Sequence, residues 1–154
     1  MQVWRLTTRK HATTAFSGIG NRKVGSRWVP EGLLAIYTSE NLSTAVLETL
    51  VHIDPNHFSN NFVCIKAEIP DSITIDEVAL ADLPKDWQSR FEDGELQQVG
   101  AQWIDRGSSA ILMVPSAVVP QERNIIINPQ HEDFEKIVLS PAEPFLFDTR
   151  LLKT

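Results

Sequence analysis

One segment decides the fold of this chain: residues 33–53 read LLAIYTSENLSTAVLETLVHI. Its first part, Leu33–Tyr37, is continuously apolar up to the tyrosine, which predicts a buried strand. From Leu42 to Ile53 the apolar residues recur every three or four positions, which predicts a helix over those residues. Polar residues of the kind that cap helices stand around this boundary, at Ser39, Asn41 and Ser43. The segment therefore predicts a strand that leads directly into a helix.

The predicted helix has two unlike faces. Its apolar stripe is expected to pack on the core and consists of Leu42, Val46, Leu50 and Ile53, widened by Leu47 and Val51. Glu48 falls on the opposite side, together with Asn41, Ala45 and His52. A glutamate on such a face is most often solvated, and the alternative is a carboxylate that faces a cleft. Helical geometry alone leaves both interpretations open.

The rest of the chain predicts a mixed sheet. Short apolar runs indicate further strands at Val3–Leu6, Phe62–Ile69, Ile73–Ile75, Ala110–Val114, Asn124–Asn128, Ile137–Leu139 and Phe145–Phe147. Residues 7–32 hold four glycines and predict loops. Asp54-Pro55-Asn56 is expected to end the first helix, and a second helix is expected over Glu95–Arg106 with Gly107 as its cap. We predict one domain over residues 1–154, of mixed α/β class, with a partly antiparallel sheet and packed helices.

Composition narrows the class of protein. The 154 residues carry a formal net charge of −6, which argues against direct nucleic-acid binding because phosphate neutralisation needs clustered cations. A substrate with phosphates needs only one or two local cations and stays possible. The single cysteine, Cys64, excludes an internal disulfide and is expected to be a buried strand residue. No signal peptide or stretch of about 20 apolar residues is visible, so we expect a cytoplasmic protein.

Arg27 and Tyr37 are candidate ligand-binding residues. Arg27 lies in a glycine-containing loop before Trp28, and its planar guanidinium matches phosphate oxygens. The competing interpretation is a surface arginine stacked on Trp28. Tyr37 is the single tyrosine and ends an apolar run. Its ring is suited to a flat heterocycle with the hydroxyl in water, or to the edge of the core with a satisfied hydroxyl.

Ser116 is a candidate ligand-binding hydroxyl at the end of a predicted strand. No Gly-x-Ser-x-Gly elbow surrounds it and no base lies near it in sequence, so a hydrolase triad is disfavoured. A serine that caps a turn is the alternative. The four histidines have no metal-binding spacing, and we predict no metal site. Gly18-Ile19-Gly20 is only a weak phosphate-loop signal because the third glycine is missing.

Taken together and in this order, the local patterns resemble the RES-domain toxins, a family named for an Arg, a Glu and a Ser. The resemblance spans nearly the whole chain and rests on the ensemble. Its pieces include Trp4-Arg5, Arg27-Trp28, Tyr37-Thr38-Ser39, Ala45-Val46-Leu47-Glu48, Val114-Pro115-Ser116, Asn124, Asn128-Pro129-Gln130-His131 and Phe147-Asp148-Thr149-Arg150-Leu151. The family loop usually reads Gly-Gly-Arg-Trp-Asn, whereas this chain has Ser26 and Val29 at the second and fifth positions. Ser26 would restrict the loop if that position needed a positive φ.

The resemblance implies a fold related to ADP-ribosyltransferases and NAD as a substrate, with no separate cofactor. It also implies toxicity through NAD consumption and neutralisation by an Xre-type antitoxin. On this basis Arg27, Tyr37, Glu48 and Ser116 are the expected catalytic residues. Arg27, Tyr37 and Ser116 are also expected to bind substrate, with Asn124 in a supporting role.

The expected reaction is cleavage of the nicotinamide–ribose bond, with Glu48 stabilising positive charge on the ribose. Arg27 would hold the pyrophosphate, Tyr37 would pack on the nicotinamide or its ribose, and Ser116 would bind the nicotinamide side. The acceptor is left open between water, phosphate and protein. One alternative is ADP-ribosylation of a specific protein. A second is a non-enzymatic module that binds a nucleotide or a partner, which would be favoured if Glu48 and Arg27 lay on opposite faces.

Overall fold

A computed structural model describes residues 1–54, 58–90 and 94–152. Across these residues eight strands form one sheet: β1 (Gln2–Thr8), β2 (Ile36–Ser39), β3 (Phe62–Glu68), β4 (Ile75–Glu77), β5 (Ile111–Pro115), β6 (Arg123–Ile127), β7 (Val138–Leu139) and β8 (Glu143–Phe145). Three α-helices accompany them in the same ranges: α1 (Ile19–Val24), α2 (Leu42–Leu50) and α3 (Gly94–Arg106). Short 3-10 helices cover residues 9–14, 80–82, 87–89, 132–136 and 149–152.

The sheet is mixed, as predicted. Its order is β4-β5-β6-β2-β1-β3-β7, with β8 also paired to β3. β4 and β5 are parallel, and the other pairs in the described residues are antiparallel. β2, the strand of the opening segment, lies at the centre between β6 and β1. The mixed α/β class with a partly antiparallel sheet is therefore confirmed.

Apolar side chains of the central strands point alternately to the two faces of the sheet, and they form a core on each face. Ile125 and Ile127 of β6 pack with Val3 and Ile36 on one face. Ile126, between them, packs on the other face in a cluster that contains Trp28, Trp103 and Leu112. Because successive side chains of a strand point to opposite faces, one run of isoleucines serves both cores. The second face also carries the polar side chains described below.

The strand and the helix of the opening segment are both present, with shifted ends. β2 covers Ile36–Ser39 instead of Leu33–Tyr37, and α2 ends at Leu50 instead of Ile53. After Leu50 the backbone tightens, since the amide of His52 donates to Thr49 and that of Ile53 donates to Leu50. Such i to i−3 bonds are common in a final helical turn. Pro55, Asn56 and His57 lie outside the described residues.

The predicted packing face of α2 is wrong in part. Leu47 and Val51, expected to widen the core stripe, are 38% and 61% exposed. The buried helical residues are Thr44 and Ala45. Glu48, expected on the outer side with Ala45, is half-buried. The helix is rotated so that its polar side turns inward, because a cleft rather than solvent lies against that side.

Residues 7–32 are more regular than the glycines suggest. They contain a 3-10 helix over 9–14 and helix α1. Gly18 precedes α1 with φ 73° and Gly25 follows it with φ 66°. Both values lie in the left-handed region that glycine adopts without strain. Two of the glycines therefore mark the ends of a short helix that periodicity did not reveal.

The second helix was predicted closely: α3 covers Gly94–Arg106 and is followed by Gly107 at φ 58°. No helix in the described part of the chain combines the length and the apolar character needed to span a bilayer. Cys64 is buried in β3, as predicted.

Candidate active site

A cleft of about 730 Å³ opens between α2, the loop that follows α1, and the face of β1 and β2. This volume is within the range of small-molecule sites. Four of the sequence-predicted residues line it: Arg27, Tyr37, Glu48 and Asn124. Ser116, the fifth, is completely buried and bonded to Glu48. The fold thus brings together residues that lie up to 97 positions apart in the chain.

Glu48 is held by two donors on one carboxylate oxygen. The Ser116 hydroxyl donates to Oε1 at 2.7 Å, and the Asn124 side-chain amide donates to the same oxygen at 2.6 Å. Two such contacts fix the carboxylate in one orientation on the cleft wall. The solvated interpretation of Glu48 is wrong, because these partners come from β6 and from the end of β5.

The Asn124 amide cannot rotate freely. Its oxygen accepts a hydrogen bond from the Ser39 hydroxyl at 2.7 Å, so its NH2 group faces Glu48. Asn124 and Ser39 are register partners on β6 and β2. The sheet register therefore aligns the chain of contacts from Ser39 through Asn124 to Glu48.

Ser116 is oriented by the turn that follows it. The backbone amides of Val118 and Val119 donate to its oxygen at 3.2 and 2.9 Å. With acceptor positions filled by these amides, the hydroxyl proton points to Glu48. The turn-capping and site interpretations of Ser116 are thus both realised. A carboxylate does lie beside this serine, although none was apparent from the neighbouring sequence.

Arg27 lines the same cleft from the loop that follows α1. Its guanidinium stands 5.8 Å from the ring centre of Trp87 and donates to the Trp87 backbone oxygen at 2.9 Å. Trp28, the ring considered from the sequence, is buried in the core and also lines the cleft. Burial lowers the pKa of Arg27, and the charge of Glu48 opposes that shift most strongly. Both charged groups line the cleft, and the negative charge of Glu48 favours the charged form of Arg27.

Tyr37 forms part of the cleft wall with its hydroxyl engaged. The hydroxyl makes a short hydrogen bond with the Ser26 hydroxyl. Burial raises the pKa of the Tyr37 phenol, partly offset by the Ser26 contact. The expectation of a wet hydroxyl is wrong, and the alternative of a core-edge tyrosine with a satisfied hydroxyl is correct.

The two departures in the Arg27 loop are readily accommodated. No non-glycine residue in the described ranges has positive φ, so Ser26 carries no such strain. Its hydroxyl instead bonds Tyr37 and lies 3.1 Å from the Val29 backbone oxygen. Val29 is fully buried in the core on this side of the sheet. Both residues contribute contacts that hold the loop.

Helix α3 supports the same loop through a close backbone approach. The Gly100 amide donates to the Trp28 backbone oxygen at 3.1 Å, and Gln97 donates to the Ser26 backbone oxygen at 2.8 Å. A Cβ at Gly100 would lie 2.1 Å from the Trp28 oxygen, which is sterically impossible without a shift. Glycine at this point lets α3 dock directly behind Arg27.

Arg5 is a cleft residue to which sequence reasoning assigned no role. It lies on β1, and its guanidinium donates to the Tyr37 backbone oxygen at 2.6 Å. Its buried Nε has no hydrogen-bond partner among the described residues. Burial lowers the pKa of Arg5 to about 10. The available signal was a cation inside an otherwise half-buried strand near the centre of a sheet.

The arrangement offers two kinds of chemistry. The cleft wall presents an oriented carboxylate at Glu48, and it also presents the guanidinium groups of Arg5 and Arg27, which suit an anionic group. Within the described ranges no three or more His, Cys, Asp or Glu side chains converge as a metal site would require. The weak phosphate-loop signal at Gly18-Ile19-Gly20 lies at a helix of only six residues, outside the cleft lining.

Comparisons with known proteins identify the family of this chain. The model of the RES domain family matches residues 2–148. The chain is 36% identical to Toxin Res of Photorhabdus laumondii, covering 99% of this chain and 98% of that protein. It is 32% identical to the Prs ADP-ribosylating toxin of Sphingobium sp., covering 97% and 96%. A chain of the M. tuberculosis MbcT–MbcA toxin–antitoxin complex shares the fold, with a TM-score of 0.74, 17% identity and coverage of 94% and 84%.

Proposed function

The chain belongs to the RES domain family, as its sequence pattern suggested, and on that premise we propose that it is a toxin that consumes NAD by breaking the nicotinamide–ribose bond. The observation that carries the proposal is the orientation of Glu48 by Ser116 and Asn124, in a cleft that Arg27 also lines. The proposal also takes residues 1–154 as a single RES domain.

The chemistry follows from where charge develops. When the C1′–N bond of NAD breaks, neutral nicotinamide leaves with the bonding electrons and the ribose becomes oxocarbenium-like. A fixed carboxylate beside the sugar stabilises that positive charge without having to reorganise. Glu48 is the group in this role. Ser116 and Asn124 share one of its oxygens, which leaves the carboxylate oriented before substrate arrives.

The substrate's pyrophosphate carries two negative charges and needs cations. Arg27 presents its guanidinium to the cleft, and Arg5 supplies a second one from β1. A planar fork of donors suits phosphate oxygens better than a point charge does. Tyr37, with its hydroxyl bonded to Ser26, offers an immobilised ring to the nicotinamide or its ribose.

The decisive test is Glu48→Gln with NAD and chromatographic analysis of products. The amide oxygen can still accept from Ser116 and Asn124, so the fold should persist while the charge is lost. We expect kcat/KM to fall by at least about 100-fold, the scale of losing one preorganised electrostatic contact. A Glu31→Gln variant, changed at an exposed glutamate outside the cleft lining, is the matched control. Undiminished NAD turnover in Glu48→Gln would refute the role of Glu48.

ADP-ribosylation of a protein is the second candidate, and the name of the Sphingobium relative, an ADP-ribosylating toxin, favours it. The same bond is broken, and only the acceptor differs. Label from NAD that appears on protein instead of in free product would select this candidate. The non-enzymatic binding module would be favoured by Glu48 and Arg27 on opposite faces, and their presence in the lining of one cleft argues against it.

We further propose an antitoxin partner, of Xre type, and a cytoplasmic location. The partner is suggested by the family and by the structural neighbour, which was solved as part of a toxin–antitoxin complex. The acidic segment from Asp82 to Glu95 offers a contact surface for a basic partner, and it is partly neutralised internally, since Asp86 and Glu95 both pair with Arg90 at 2.9 Å. Glu92 and Asp93 lie outside the described residues. Co-purification of the two proteins from one operon tests the partnership.

A further inference from the structure

His52 lines the cleft, and no role in the proposed reaction has yet been assigned to it. It lines the cleft directly after α2, four residues beyond Glu48. The intervening backbone stays helical, with Val51 at φ −65° and ψ −12° and the His52 amide bonded to Thr49. Glu48 and His52 are both among the residues that line the cleft. The imidazole therefore belongs to the same wall as the carboxylate.

The position of His52 is also right for an acceptor that enters from solvent. Its side chain is exposed, whereas Ser116, Asn124 and Ser39 behind Glu48 are buried. An acceptor attacks the ribose carbon from outside, after nicotinamide has begun to leave. A neutral acceptor such as water must then lose a proton, which needs a base at the open side of the cleft.

The other titratable groups that face this space are poor bases. Arg5 and Arg27 are guanidinium groups and act as donors. The Tyr37 hydroxyl is engaged with Ser26, and burial raises its pKa. Glu48 accepts two hydrogen bonds on Oε1 and is needed for the charge on the sugar. Histidine is the residue type whose charge ordinarily changes between about pH 5 and 8.

We propose, on the basis of the proposed function, that His52 is the general base that activates water as the acceptor. The oxygen of water bonds to C1′ as the C1′–N bond breaks, and nicotinamide departs neutral with the electron pair. One proton of the water passes to an imidazole nitrogen and then to solvent. The products are ADP-ribose, nicotinamide and one proton, so atoms and charge balance. Phosphate, which is already an anion, needs no such base.

The test compares the two acceptors in His52→Gln. Purified protein is given NAD either in phosphate-free buffer or with added inorganic phosphate, and ADP-ribose and its phosphorylated form are separated. We expect hydrolysis to fall by about 100-fold or more, the usual contribution of a general base. We expect any phosphate-dependent release of nicotinamide to be retained. His11→Gln is the control, because His11 is exposed and outside the cleft lining.

Two readouts separate a base from a structural residue. Wild-type kcat for hydrolysis should fall as pH drops through the range in which imidazole gains a proton, and His52→Gln should lose that dependence. Added imidazole should restore hydrolysis in His52→Ala. These results together would support the proposal.

The contrary outcomes are distinguishable. Unchanged hydrolysis and pH dependence in His52→Gln would overturn the role of His52. Equal loss with water and with phosphate would also overturn it, since that pattern indicates binding or folding. A wild type that releases nicotinamide only with phosphate would overturn it while leaving the proposed function intact. A wild type that leaves NAD intact would overturn the proposed function itself.

Discussion

Glu48 and the loop that carries Arg27 form two parts of the cleft wall, and they are held in place by different kinds of contact. Glu48 is fixed by side chains, through a chain of hydrogen bonds from Ser39 through Asn124 and from Ser116. In the loop that carries Arg27, the backbone oxygens of Ser26 and Trp28 accept hydrogen bonds from Gln97 and from the Gly100 amide of α3. Substitutions that change side-chain hydrogen-bonding groups should therefore disturb Glu48 most. Substitutions that push α3 away from the loop backbone should disturb Arg27 most. The following predictions test that difference, from the largest expected effect to the smallest.

Asn124→Asp should have the largest effect on activity. It replaces the amide that donates to Glu48 at 2.6 Å with a second carboxylate, so like charges meet where a hydrogen bond was. We expect kcat to fall by about 100-fold or more, the scale of losing a preorganised electrostatic group. NAD turnover measures it. Asn41→Asp, at the exposed start of α2, is the control for an added charge and should stay near wild type.

Gly100→Ala should disturb the loop that carries Arg27 through the backbone. The new Cβ would meet the Trp28 oxygen at 2.1 Å, so α3 and the loop must separate. We expect a loss of about 1–3 kcal/mol in the free energy of unfolding, as for other overpacked sites, with a raised KM. Urea unfolding and kinetics report both. Gly94→Ala in the same helix has open space and serves as the control; equal behaviour of the two variants would contradict the prediction.

Arg27→Lys should weaken substrate binding with less effect on the chemical step. Lysine keeps the charge and loses the planar fork that reaches both the Trp87 oxygen and a phosphate group. We expect KM to rise by about 10-fold, the equivalent of roughly 1.4 kcal/mol. Arg106→Lys, at the exposed end of α3, should leave KM unchanged. A fall confined to kcat would assign Arg27 to the reaction instead of to binding.

The ionisation of Tyr37 gives a prediction that can be tested without measuring activity. It is the single tyrosine, so phenolate absorbance reports this residue alone. Burial raises its pKa in the folded protein. The raised pKa of Tyr37 contributes to the free energy of unfolding. This contribution is fully present below the pKa of about 10 that tyrosine has in the unfolded chain, and it is lost as pH rises above that value. We expect no phenolate signal near pH 10 in folded protein, whereas urea-unfolded protein should titrate there; ionisation of the folded protein at that pH would contradict the buried hydroxyl.

The fold was predictable where local pattern and burial agree. The buried strands and α3 were found because their apolar residues and the terminal Gly107 are local signals. The ends of β2 and α2 were shifted by up to three residues, since propensity changes gradually across such boundaries. Helix α1 was missed because its six residues are too few for a periodic pattern and three glycines fall within or beside it.

The sequence was enough to select the residues of the candidate site, but it predicted fewer of the contacts between them. Arg27, Glu48 and Asn124 were chosen correctly as members of one cleft through their resemblance to a family pattern. The contact between Arg27 and Trp87 was not predicted from the sequence, since Trp87 lies 60 positions away and only the fold brings it to the guanidinium. Arg5 received no role because one cation in a short strand is an ambiguous signal.

The sequence by itself determined the strand-to-helix unit, the mixed class of the sheet and the family. Spacing and residue order are enough for these, because secondary structure follows local periodicity. The tertiary structure alone decided that α2 turns Glu48 inward and leaves Val51 exposed. It also joined Glu48 to Ser116 and Asn124, which lie 68 and 76 positions away. Periodicity specifies that a helix has two faces, but only the packing of distant strands specifies which of them borders the cleft.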